Sequence, residues 1–110
     1  MKVLEPAAAA RDAVAAHPER PATALVHDAP DVRLVVFRIG PGQTVAAHTS
    51  PSTVLLHVLS GAGVVSGADG EREVHAGQVV VYEPNEPHSM RAAGQELVLL
   101  AAIAPRPGGR

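Results

Sequence analysis

The sequence predicts an all-β barrel preceded by one short helix. Three observations carry that expectation. From residue 22 onward, short runs rich in β-branched residues alternate with Gly, Pro, Asp and Asn, at spacings of about 8–12 residues, the rhythm of a sandwich or barrel. No helical segment separates these runs, so a parallel α/β sheet has no crossovers to build it. Asp69-Gly70 sits between two strand-like runs, and that dipeptide tolerates the positive φ of a tight hairpin.

Taken in order, residues 7–16 form the expected helix. Ala7 to Ala10 and Ala13 to Ala16 are strong helix formers, and Pro6 suits a first helical position. His17-Pro18 ends it, because a residue before proline is driven out of the helical region. Alanine buries little area, so the helix is expected on the surface. Strands are expected near 22–27, 32–39, 43–47, 53–60, 63–66, 71–75, 78–82, 88–91 and 96–103. Leu34 to Phe37 and Leu97 to Ile103 are apolar on both faces and must be covered twice: once by the barrel interior, and once by the N-terminal segment or a second subunit. The chain thus divides into a helical segment and connector (1–21), a barrel (22–104) and a flexible tail (105–110).

Composition narrows the function. Hydrophobic residues make up 46% and charged residues 18%, as in a globular protein. Phe37 and Tyr82 are the only aromatics, too few to stack nucleic-acid bases. Nine basic residues face eleven acidic ones without a basic run, so neither nucleic acid nor an anionic membrane is an expected partner. Without cysteine, disulfides, thiolate catalysis and Cys-type zinc sites are excluded. The apolar stretch Leu97 to Ala104 is too short to span a bilayer. Met1 to Glu5 lacks the pattern of a signal peptide, and a cytoplasmic location is expected.

Two segments carry possible chemistry. The first runs from Gly42 through His48, Ser50 and Val54 to Gly61; the second runs from Gly77 through Tyr82, Glu83, Pro84 and Asn85 to His88. Together they resemble the two motifs of the cupin family, G-x5-H-x-H-x3,4-E-x6-G and G-x5-P-x-G-x2-H-x3-N, over about residues 32–103. The resemblance implies a jelly-roll β-barrel and, commonly, a homodimer. Gly42, Gly61, Gly77, His48 and His88 stand in motif positions. The departures bear on function. In metal-binding members, two histidines and a glutamate from the first motif and one histidine from the second hold a divalent ion. Here Ser50 stands for the second histidine and Val54 for the glutamate. Glu83 replaces the proline of the second motif, Asn85 its glycine and Ala92 its asparagine. Valine cannot ligate, and serine is a weak neutral ligand, so two of the four family ligands are missing.

If His48 faces the barrel interior, strand alternation puts Ser50, Val54, Leu56 and Val58 on the same face and turns His57 outward. His75, beside the Ala76-Gly77 turn, is expected to face away as well. The candidate ligand-binding residues are therefore His48, Ser50, Val54, Leu56, Tyr82, His88 and Met90, with Tyr82 in the apolar wall, and the candidate metal ligands are His48 and His88. His17, His27, Glu83 and Glu86 are expected in solvent. Ser50 beside His48 lacks an aspartate to orient the histidine, so a nucleophilic serine is not expected. The favoured reading is a small-molecule binding module with few polar groups among apolar ones. The alternatives are a metal-dependent dioxygenase, isomerase or lyase, holding Zn, Ni, Fe or Mn at His48 and His88, and a non-enzymatic dimeric interaction domain.

Overall fold

The computed structural model describes residues 1–108; Gly109 and Arg110, the end of the expected tail, lie outside the described residues. One helix, α1 (Pro6–Asp12), precedes seven strands: β1 (Ala22–Asp28), β2 (Arg33–Ile39), β3 (Thr44–His48), β4 (Thr53–Gly67), β5 (Gly70–His75), β6 (Val79–Tyr82) and β7 (His88–Ala104). All pairings are antiparallel. The sheet runs β1-β2-β7-β4-β5, with β3 added to β7 and β6 added to β4. This is the expected all-β jelly roll.

The strand count differs from expectation at two places. The runs 53–60 and 63–66 fuse into β4, and 88–91 and 96–103 fuse into β7. Gly61 explains the first fusion. Its φ of +79° makes a bulge within the strand rather than a turn, and its carbonyl still accepts from Ala76 N. In the second, Ala93-Gly94 reads as a break, yet Gly94 adopts no left-handed backbone and the strand continues. β4 and β7 pair from Thr53–Ala104 to Ser66–Ser89, with register shifts beside Gly61. These two strands form the spine of the barrel.

The inward residues of that spine make the main core. Val54, Leu56 and Val58 alternate with exposed Leu55 and His57, and they pack with Ile39, Leu97 and Leu99. The two-sided apolar strands are covered twice, as expected. On the outer face, Val36 and Val98 are buried beneath Ala10 of α1. The helix is shorter than the sequence expectation of 7–16. Arg38 donates Nη1 to the carbonyls of Ala10 and Arg11 at 2.7 Å each, satisfying carbonyls that a longer helix would have paired internally. Ala13 then turns to extended geometry, with ψ 141°. No helix is long and apolar enough to cross a membrane among the described residues.

The segment after β7 is fastened at its start, where the sequence reads as a frayed end. Arg106 Nη1 bonds Asp28 Oδ1 at 3.2 Å, and Arg106 N donates to the Pro30 carbonyl. Ser52 Oγ donates to the Pro105 carbonyl. Burial pushes the Asp28 carboxyl up, but the bonded guanidiniums of Arg106 and Arg33 outweigh that effect and hold it below the ordinary carboxylate value.

Candidate functional site

His48 ends β3 and His88 opens β7, and antiparallel pairing sets the two directly opposite each other. Residues forty positions apart in the motifs thereby become a cross-strand pair at one end of the barrel. Their ring centroids lie 4.2 Å apart with planes inclined by 60°. His48 is exposed at the rim, whereas His88 is 3% exposed.

Main-chain carbonyls orient both imidazoles. His48 Nδ1 lies 2.8 Å from the Ala46 carbonyl, and His88 Nδ1 lies 2.9 Å from the Glu86 carbonyl. A carbonyl only accepts, so each Nδ1 carries the proton, and each Nε2 is the nitrogen left for another partner. Every buried side-chain polar atom among the described residues has a partner. The Nε2 of His88, which has no bonded partner among the described residues, is therefore not sealed in the core.

The loop between β6 and β7 supplies this geometry. Asn85 adopts φ +68°, left-handed backbone that asparagine tolerates better than most residues. Its N–H donates to the Ser50 carbonyl at 2.7 Å, tying the β6–β7 loop to the β3–β4 loop. Glu86, expected in solvent, is half-buried. It accepts from Ala68 N at 2.9 Å and from Glu83 N at 3.0 Å. An intraloop carboxylate acceptor is a local signal that the sequence reading missed. Glu83 stays exposed. His27, also expected in solvent, is half-buried and accepts a bond from Lys2 Nζ at 3.1 Å; His17 is exposed.

A cavity of about 250 Å³ opens beside the two histidines. His48, Ser50, Val54, Leu56, His88 and Met90 all line it, as the sequence pattern predicts. Phe37, Ala101, Ile103 and Pro107 complete its wall, with Thr49 and Pro51 at the loop. Ser50 Oγ accepts from Ser52 N. Tyr82 is the correction: it does not line this cavity. It stacks on His88, with centroids 4.5 Å apart and planes at 21°, and its hydroxyl donates to the Ser66 carbonyl at 2.8 Å. Buried polar hydroxyls seek a partner, and here it is the Ser66 carbonyl rather than a group of the cavity. Burial, followed by the charges of Glu86 and Asp69, pushes the phenol pKa up to about 12.

His57 and His75 are exposed and outside the cavity lining. His57 lies opposite Val79 and Leu100 on the outer face. A larger hollow of about 370 Å³ lies beside β5 and β6. Of its charged residues, Arg72 pairs with Asp69 at 3.4 Å and Glu86 holds two backbone N–H groups, while Glu73 also lines it.

The donor set does not match a resident divalent metal. Val54 stands, 4% exposed, at the family glutamate's position, and Ser50 stands at that of the second histidine. No cluster of three or more His, Cys, Asp or Glu suited to a metal exists among the described residues. Two imidazoles fall short of the three or four protein ligands that such centres use.

Comparison with known proteins agrees with this architecture. The sequence profile of the Cupin domain matches residues 35–103. A conserved protein with a double-stranded β-helix domain from Klebsiella pneumoniae superposes with a TM-score of 0.82 at 19% identity, over 100% of this chain and 94% of its own. TT1209 from Thermus thermophilus superposes with a TM-score of 0.83 at 23% identity, over 97% of this chain and 100% of its own. An RmlC-like cupin protein from Desulfovibrio desulfuricans reaches a TM-score of 0.74 at 29% identity, over 86% and 91%. No curated protein matches the sequence.

Proposed function

The chain belongs to the cupin domain family, and from that premise we propose that it binds a small organic molecule in its barrel, without a resident metal. One observation carries the reading. Two oriented imidazoles line a cavity together with the apolar side chains of Phe37, Val54, Leu56, Met90, Ala101 and Ile103 and the hydroxyls of Thr49 and Ser50. A few placed polar groups among apolar ones give a ligand orientation as well as affinity. The competing reading, a metal-dependent oxygenase, isomerase or lyase, needs ligands that Ser50 and Val54 do not supply.

A fragment screen read by proton–nitrogen NMR tests the proposal. Hits are expected to move the resonances of His48, His88, Met90 and Ile103 together. A screen whose hits all map elsewhere removes the proposal. So does near-stoichiometric metal in freshly purified, untagged protein.

Self-association is a second proposal, favoured by one feature. Leu55, Val79 and Val81 remain 38%, 55% and 60% exposed, and register places Leu55 opposite Val81 on the outer face of β4 and β6. A homodimer through this face is expected to lose affinity in Val81→Lys; sedimentation of the wild type as a strict monomer removes the idea.

A further inference from the structure

We infer that the pocket selects a compact, uncharged, largely apolar molecule carrying one proton-donating hydroxyl, read through the Nε2 atoms of His48 and His88. This rests on the small-molecule reading above and adds the chemical class of the ligand.

Size comes first. The cavity of about 250 Å³ holds roughly eight water volumes, room for a ligand of about ten non-hydrogen atoms. Charge comes next. No Asp, Glu, Lys or Arg lines the cavity among the described residues. An ion entering it would lose hydration without gaining a fixed counter-charge. A neutral ligand avoids that cost.

Polarity follows from the tautomers. Each Nδ1–H is committed to a main-chain carbonyl, so each imidazole, in its neutral form, offers a lone pair at Nε2. The two imidazoles are therefore the pocket's oriented acceptors. Ser50 and Thr49 also line the cavity; Ser50 Oγ accepts from Ser52 N, and each hydroxyl keeps a rotatable proton to donate as well as lone pairs to accept. A ligand hydroxyl pairs with an Nε2, whereas a methyl in the same place displaces water and leaves the acceptor unpaired. Hydrophobicity alone predicts the reverse order, since replacing hydroxyl by methyl favours transfer out of water.

Matched probes separate the two. The full chain is titrated by proton–nitrogen NMR with para-ethylphenol, para-ethyltoluene and para-ethylanisole, which differ in donating, lacking or only accepting a hydrogen bond. Para-ethylphenol is expected to bind about tenfold tighter than the other two, with its resonance shifts centred on His48 and His88. His48→Ala is expected to reduce that preference, read as the ratio of the para-ethylphenol and para-ethyltoluene affinities. Equal or tighter pocket binding of para-ethyltoluene or para-ethylanisole by the wild type overturns the inference while the small-molecule reading stands. Absence of pocket shifts from all three overturns the inference alone if the fragment screen yields pocket ligands; if that screen is also empty, both fall.

Discussion

The Tyr82 ring stacks on His88 while its hydroxyl donates to the Ser66 carbonyl of β4. One side chain thus supports the pocket imidazole and hooks β6 to its neighbour. Tyr82→Phe keeps the stack and loses the bond, so a loss of about 1 kcal/mol is expected, with pocket binding retained. Tyr82→Ala loses both, and about 3–5 kcal/mol is expected by analogy with other large aromatic truncations. Denaturant unfolding of the two variants measures the difference.

Alkaline titration reports on the same group. The folded phenol titrates at about 12 against an ordinary 10.0. Above pH ~10 the unfolded chain releases this proton before the folded one, so stability is expected to fall as pH rises from about 10 to about 12. Because Tyr82 is the chain's single tyrosine, phenolate absorbance reads it directly. A midpoint at the ordinary value would contradict the burial described here.

Asp28 titrates in the other direction. Its folded carboxyl sits below the ordinary value of 3.8, with Arg106 and Arg33 outweighing the opposing effect of burial. The stability it contributes is present above that ordinary value and is lost as pH falls through the lowered one. Asp28→Asn is therefore expected to be less stable than wild type near neutrality, with the gap closing in acid. Unfolding midpoints at the two pH values check this, and amide exchange at Arg106 shows whether the anchor has opened.

Restoring the missing ligands should restore metal affinity. Ser50→His with Val54→Glu rebuilds the family's set around His48 and His88. Without metal, a carboxylate at the 4% exposed position of Val54 costs on the order of several kcal/mol. Added zinc, nickel or manganese should then raise the melting temperature of the variant by mass action, and that of the wild type far less. Equal shifts in both proteins would show that the native pair already suffices.

Two glycines with positive φ differ in what surrounds them. A Cβ at Gly61 would lie 1.7 Å from the Glu96 carbonyl oxygen, while one at Gly77 meets open space. Gly77→Ala is expected to cost about 1 kcal/mol from backbone strain alone. Gly61→Ala should cost more than about 4 kcal/mol or prevent folding, because the β4–β7 ladder must part to admit the methyl. Soluble yield and unfolding midpoints distinguish them.

Much of the site was legible where the relevant rule is local. Alternation correctly placed Val54 and Leu56 toward the interior and His57 outward, because the register shifts of β4 lie beyond Val58. Motif spacing found His48 and His88. Contacts between distant segments were not legible. The helix stops early because Arg38, twenty-eight residues from Ala10, takes its last carbonyls. Tyr82 is not on the cavity wall because Ser66 offers its hydroxyl an acceptor, and Glu86 is withdrawn from solvent by Ala68 on another hairpin. Gly61 reads equally well as a turn or a bulge until its partner strand is known.

Pro107 lies on the cavity wall, held there by the anchors at Pro105 and Arg106. A ligand that touches Pro107 therefore touches a wall whose position depends on whether those anchors are closed.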